Sequence, residues 1–341
     1  MRPLDIRIVT PARRGVPGGN SVTASRWAAL LKSLGHAVRI ENEYRGGRAD
    51  ILIALHAHRS HPSVARFRRD RPGRPVVVAL TGTDIYGPAR GTRATRRSLA
   101  MADRLVVLQP LAGRALPRAH RAKVRVIHQS ALGTPGRPSV RDFEVCVVGH
   151  LRAVKDPFRA ALAARLLPEG SRVKVLHIGS AMTKAMARRA LLEQRRNPRY
   201  RWLGSLPRGE TIRRLGRARV LVLSSRSEGG ANVVSEAIAA SVPVLASRVP
   251  GSVGLMGPRY PGYFPRGNTR VLARLLRRVE QNGTFHARLA RHIEALKPLV
   301  DPAREREAWK HLLEELMAGS APVRRRGPGA APGAPPPFRE A

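Results

Sequence analysis

Two glutamates, Glu228 and Glu236, with seven residues between them, frame the segment best suited to chemistry. They follow the apolar run Val220 to Leu223 and precede a small-residue stretch ending at Val242-Pro243-Val244. Gly229 and Gly230 keep Glu228 in a loop, so Ala231, Asn232 and Val233 open a helix with free backbone N–H groups, where anions are favoured. Glu236 then faces the same cleft. Plainer accounts compete for each residue alone: Ser225-x-x-Glu228 fits a capping box, and Glu236 fits a solvated helix position. Two glycines directly after Glu228 argue against a helix starting there, and the flanking strands favour reading the pair together.

A second anion-binding candidate is the turn Gly15 to Asn20 between the first strand and its helix. Glycine admits close backbone approach, and Asn20 or Ser21 can cap the following helix, so Gly18, Gly19 and Asn20 are read as a loop able to hold an anion such as phosphate. His56, His58 and His61 cluster at a strand end, but no further ligand lies at metal spacing around them. No metal site is expected, and His56 or His58 reads as a cleft-wall residue. No G-x-S-x-G elbow follows an apolar strand, which disfavours a Ser-His-Asp hydrolase. The single cysteine, Cys146, falls within the apolar run Phe143 to Val148 and reads as a buried, inert thiol.

The elements that must position these groups alternate. Apolar runs at Ile6–Val9, Ala37–Ile40, Ile51–Leu55, Pro75–Leu80, Leu105–Leu108 and Val124–Ile127 are separated by helix-length segments, the mark of βαβ units and a parallel sheet. After the loop Gly133 to Pro138 the pattern restarts with Phe143–Val148, Val173–Ile178, Val220–Leu223 and Pro243–Leu245. The fold class is α/β, with two doubly wound, Rossmann-like parallel-sheet domains. The divisions are 1–136 for a first Rossmann-like domain, 137–300 for a second, 301–318 for a last helix opened by Asp301-Pro302, and 319–341 for a disordered Pro/Gly/Arg tail.

The 341 residues carry 63 Lys plus Arg against 23 Asp plus Glu, a formal charge of +40, with 43% hydrophobic residues and 4% aromatics. That balance builds folded cores and calls for anionic partners. The arginines are scattered over both halves, stacking aromatics are few and no nucleic-acid module is present, so nucleic-acid binding is not expected. The opening MRPLDIRIVT enters a strand directly and no apolar stretch reaches membrane-spanning length. A cytoplasmic protein is expected.

The Glu228/Glu236 pair, its glycines and the VPV strand resemble the donor segment of family-four-type glycosyltransferases, whose GT-B architecture sets two Rossmann domains face to face, with a C-terminal helix crossing back to the first. The resemblance implies that Glu228 contacts the donor sugar and Glu236 the nucleotide ribose, with Gly230 and Ala231 near the sugar and Asn232 and Val233 near the phosphates. A second shared element is Gly149-His150-Leu151-Arg152-Ala153-Val154-Lys155. Lys155 matches the family's lysine, which neutralises the leaving diphosphate. His150 stands where the family has arginine, so the second cation is assigned to Arg152, with His150 kept among the donor residues. LTGTD resembles the family's vHGtD, with Thr81 in place of histidine; this departure puts the usual catalytic environment in question.

Several strings, among them NSVTASRWAALLKSLGH, GHLRAVKDPFRAALAARLLP and YPGYFPRGNTR, look like the selenosugar synthases of selenoneine biosynthesis, over about residues 5 to 315. That resemblance implies transfer of a sugar from a UDP-sugar, such as UDP-N-acetylglucosamine or UDP-glucose, to selenophosphate, with no metal or other cofactor. The competing expectation is a conventional family-four-type transferase with a hydroxyl or lipid acceptor, its basic surface contacting membrane. Sugar identity, product anomer and oligomeric state stay open.

Overall fold

A computed structural model describes residues 2–11, 18–134 and 136–318. Residues 15–17 of the glycine turn and the tail expected at 319–341 lie outside the described residues. In the first half, β1 (Asp5–Val9), α1 (Gly19–Ser33), β2 (Ala37–Glu41), β3 (Ile51–Leu55), α2 (His61–Asp70), β4 (Val76–Leu80), α3 (Arg93–Met101), β5 (Arg104–Val107), α4 (Pro110–Arg114) and β6 (Val124–Val126) follow in order. They form a six-stranded sheet, β2-β1-β3-β4-β5-β6, with every pair parallel. β3 and β4 are buried at every residue because helices cover both faces, which is why ILIAL and VVVAL read as unbroken apolar runs.

The second half runs β7 (Phe143–Val148), α5 (Arg159–Ala164), β8 (Val173–Ile178), α6 (Lys184–Arg196), β9 (Tyr200–Trp202), α7 (Arg208–Arg217), β10 (Val220–Leu223), α8 (Asn232–Ala239), β11 (Val244–Ser247), α9 (Pro250–Met256) and β12 (Tyr263–Phe264). Its sheet, β12-β11-β10-β7-β8-β9, is also six-stranded and parallel. The edge strands β9 and β12 go beyond the sequence expectation. Cys146 is buried in β7, and burial pushes its thiol up to about 12, away from reactivity.

After β12 the chain is helical: α10 (Thr269–Gln281), α11 (Gly283–Glu294) and α12 (Pro302–Ala318). α12 returns to the first domain and inserts Trp309, Leu312, Leu313 and Leu316 into the core beneath β1 and β3. Trp309 meets Trp27 of α1 edge to face, with ring centroids 4.7 Å apart. At its far end Glu315 pairs with Arg125 and Arg104, and these guanidinium groups, Arg125 foremost, pull its carboxyl down to about 2.

In an open parallel sheet the crevice for a ligand lies where strand order reverses, beyond the carboxyl ends of the strands. Here that places one crevice between β1 and β3 and the other between β7 and β10.

Candidate functional site

The second crevice receives the loops after β7 and β10. Lys155, from the first, makes an ion pair with Glu228, from the second. The scaffold that brings them together is mostly backbone. Arg226 N–H donates to Val154 O (2.8 Å), and Ser224 Oγ lies within hydrogen-bond reach of the carbonyls of Lys155 (3.1 Å) and Asp156 (2.9 Å). Asp156 takes a left-handed conformation (φ 46°), which lets the chain turn sharply into α5. Behind the loop, His177 is fully buried, bridging Tyr200 OH (3.1 Å) and Gly149 O (3.0 Å), and burial lowers its imidazole to about 4. The neutral ring accepts from the tyrosine and donates to the carbonyl, fixing the turn that leads to His150.

The capping-box account of Glu228 fails: α8 begins at Asn232 with Ala231 as its N-cap, beyond the reach of a Ser225 cap. The solvated account of Glu236 fails as well. Glu236 is 6% exposed and receives Arg208 Nη1 at 2.9 Å, from the first residue of α7. Arg208 had no signal in the sequence, being one of 63 cations. Arg152 is exposed, with no ion pair among the described residues, and stands at the start of the turn that carries Lys155. His150 lies between Gly149 and Leu151 at the mouth of β7, half-buried.

The first domain meets this loop closely. A Cβ built on Gly229 would lie 2.6 Å from the backbone C and O of Thr81, and one on Gly230 would lie 2.6 Å from Leu108 Cβ. Both glycines are therefore required by the approach of the other domain, and Thr81 abuts the Glu228 loop. The turn after β4 is tied by Asp84, which is buried and accepts from Thr81 N (3.1 Å), Gly82 N (2.8 Å) and Ala57 N (2.9 Å). His56 follows β3 with φ 72°. It is buried, accepts from Arg59 N at Nδ1 (3.3 Å) and directs Nε2 to Thr83 Oγ1 (2.9 Å). Burial lowers its pKa, so it supports the Thr81–Asp84 turn as a neutral group. His58 is exposed and bonds to Thr92 Oγ1 (2.8 Å). Among the described residues no group of three or more His, Cys, Asp or Glu could hold a metal ion.

The glycine turn requires a correction. Gly18 is the N-cap of α1 with no side-chain cap, and Gly19 and Asn20 are the first helical residues, so neither Asn20 nor Ser21 caps. The physical reason is that Gly18 already adopts the extended conformation an N-cap needs, and Asn232 of the second domain fills the helix mouth. Its Nδ2 donates to Gly19 O (3.2 Å) and Thr23 Oγ1 (3.3 Å). Two helix N-termini, those of α1 and α8, thus converge on one polar contact across the cleft. Ala231 and Val233 flank it, both buried. A separate cavity of about 450 Å³, lined by Thr134, Arg137, Glu144, Arg213 and Arg217, sits at the opposite, amino-terminal edge of the second sheet, away from these groups.

Residues 136–295 match the family model of glycosyl transferases group 1. The match spans the second six-stranded sheet and most of the helices around it. Across both domains the fold is similar to that of HepE from Anabaena, solved with UDP and glucose, at 16% identity with a TM-score of 0.74 over 92% of this chain and 100% of that one. It is likewise similar to sucrose-phosphate synthase from Thermosynechococcus elongatus (15%, TM-score 0.76, 92% and 99%) and to a glycosyltransferase from Rickettsia africae (14%, 0.69, 93% and 99%). These likenesses establish the GT-B architecture. Among curated proteins none matches the sequence.

Proposed function

We propose that the protein is a cytoplasmic glycosyltransferase that moves a sugar from a UDP-sugar to selenophosphate. The observation that carries this reading is the convergence of Lys155, Glu228 and the N-terminus of α8 in the switch-point crevice of a group 1 domain, closed by the N-terminus of α1. HepE, of the same architecture, has been solved with UDP-glucose, which supports a nucleotide-sugar donor here. Glu236 accepts the ribose hydroxyls, the free N–H groups at Asn232 and Val233 face the diphosphate, and Glu228 with Gly230 and Ala231 holds the sugar.

In the transfer the C1–O bond to UDP breaks, its electron pair leaving with the β-phosphate, while a selenium lone pair forms the C1–Se bond. Charge grows on the departing diphosphate, and Lys155 and Arg152 are the protein's own cations placed to offset it. Lys155 exchanges its Glu228 partner for phosphate when donor binds. The acceptor dianion is already ionised and needs no base to remove a proton. That agrees with Thr81, whose hydroxyl cannot serve as the base a histidine would supply, and with His56 being committed to Thr83. Gly18, Gly19 and Asn20 at the α1 N-terminus face the anion.

The test is UDP release and product mass with a panel of UDP-sugars offered selenophosphate, thiophosphate or neutral alcohols. Selenophosphate-dependent release with a selenium-bearing sugar supports the reading. Rapid transfer to an alcohol or lipid, with selenophosphate inert, overturns the acceptor and leaves the donor assignment standing.

A further inference from the structure

Behind the contact of α1 with α8 lies a buried polar cluster that none of the roles above uses. Glu305, in the first turn of α12, is 2% exposed. Its Oε1 accepts from Trp27 Nε1 (2.7 Å), while Oε2 accepts from Arg26 Nε (2.9 Å), from Ser130 N (2.9 Å) and from the Ser130 hydroxyl. Arg26 donates from its other two nitrogens as well. Its Nη1 donates to Asn232 Oδ1 (2.8 Å) and its Nη2 to Gln129 Oε1 (2.9 Å). Gln129 also accepts from Thr23 Oγ1 (2.7 Å) and donates to Gly230 O (2.8 Å).

Each nitrogen of the Arg26 guanidinium finds an acceptor, and the members come from α1, the segment after β6, the start of α8 with the loop before it, and α12. A buried charge of this kind keeps its geometry because leaving any donor unpaired costs more than the bond itself contributes. The planar guanidinium of Arg26 spans three acceptors at fixed angles, which a lysine cannot do. Asn232, reached by Arg26, and Gly230, reached by Gln129, lie on either side of Ala231, the N-cap of α8.

We propose that Glu305 is a positioning residue for the donor end of the site: through Arg26 and Gln129 it seats Asn232 and Gly230, so that the crossover helix sets the closed juxtaposition of the two domains. This rests on reading the start of α8 as the diphosphate site. Glu305 touches no substrate. Its effect passes through the Oε2 half of the carboxylate, since the Oε1 half serves only Trp27.

That division supplies the experiment. UDP affinity is measured by calorimetry on folded full-length variants, beside small-angle scattering without ligand. Glu305→Gln places an amide where donors converge, and should weaken UDP binding by about 10- to 100-fold and expand the domain pair. Arg26→Lys is the second variant, should Glu305→Gln fold poorly, and the same changes are expected. Trp27→Phe removes the Oε1 bond and part of the packing on Trp309 while leaving the Oε2 half in place, and should lower thermal stability with UDP affinity held within about twofold. On an Asn232→Ala background the effect of Glu305→Gln on affinity should fall to about twofold or less. Equal losses of affinity from Trp27→Phe and Glu305→Gln, or an undiminished effect of Glu305→Gln beside Asn232→Ala, would reduce the cluster to plain stabilisation and overturn the proposal. Absence of UDP binding by the unaltered protein would instead remove the donor reading. Scattering then still decides the clamp, because unchanged dimensions in Glu305→Gln and Arg26→Lys refute it.

Discussion

Replacing Glu236 by alanine separates a nucleotide-binding carboxylate from a structural ion pair. Among the described residues the carboxylate has one ion-pair partner, Arg208, whose side chain is 52% exposed while that of Glu236 is 7% exposed. The asymmetry sets the magnitudes. A pair with one half-exposed member contributes about 1 kcal/mol or less, because water competes for the guanidinium. Two ribose hydroxyls donating to a carboxylate in a buried pocket contribute about 1.5–3 kcal/mol, the range for hydrogen bonds to charged groups. Glu236→Ala should therefore weaken UDP binding by about 10- to 150-fold. Arg208→Ala should change it by about fivefold or less. Calorimetric titration with UDP, on variants whose circular dichroism matches the parent, reads both. If Glu236→Ala binds UDP as the parent does, or if Arg208→Ala is the more damaging of the two, then the nucleotide is held by the guanidinium and the ribose assignment is wrong.

Lys155→Ala should lower kcat by about 100- to 1,000-fold, the loss expected when one preorganised donor to a developing charge is removed. Arg152→Ala should be equally or less severe in the same steady-state assay, and an effect confined to His150→Ala would move the second cation to His150. Gly229→Ala places a Cβ 2.6 Å from Thr81 backbone, so it should abolish turnover while leaving the melting temperature within a few degrees, read by paired activity and calorimetric scans. His177 has its folded value lowered to about 4 from 6.5, so on acidification the unfolded chain takes up a proton that the folded one refuses. Stability is thus unaffected above about pH 7 and falls by about 2 kcal/mol from this group on going to about pH 5, and His177→Gln should flatten that part of the slope in urea titrations. Burial likewise lowers His36, His56, His61, His120 and His128, so a residual slope of the same sign is expected.

What the sequence made legible was local. Parallel strands buried on both faces must be continuous apolar runs, so β3, β4 and β10 announce themselves. The edge strands β9 and β12 are three and two residues long and carry an exposed Arg201 or follow a Gly-Pro-rich turn, so neither periodicity nor length marks them. Glu228 stood out because the glycines after it meet a backbone requirement visible in the string. That requirement turned out to be the approach of Thr81 and Leu108 from the other domain, which no local reading supplies. The start of α1 was misplaced for a related reason: Asn20 is a good cap by type, but Gly18 holds the extended backbone, and the polar group at the helix mouth is Asn232, 213 residues away from Gly19.

The charge was the least legible feature. Among 63 cations, position in the chain gives Arg26 and Arg208 no distinction from solvated neighbours; burial and partner do. Arg26 spends its guanidinium on Glu305, Asn232 and Gln129, and Lys155 is shared with Glu228, whereas Arg152 has no ion pair among the described residues. An arginine-rich composition therefore presents two kinds of cation to an anionic ligand. One kind is already committed and can act only by holding acceptors in place. The other, without an ion pair as Arg152 is or held by a partner it can exchange as Lys155 is, can approach phosphate. Raising the ionic strength discriminates between them, because screening weakens exposed charges far more than buried pairs. Donor binding that depends on Lys155 and Arg152 should lose affinity steadily with added salt, while the Arg26–Glu305 contact should keep the domains together throughout. Domain opening in step with the loss of donor affinity would show that the interface, too, is held by screened surface charge, contrary to its burial.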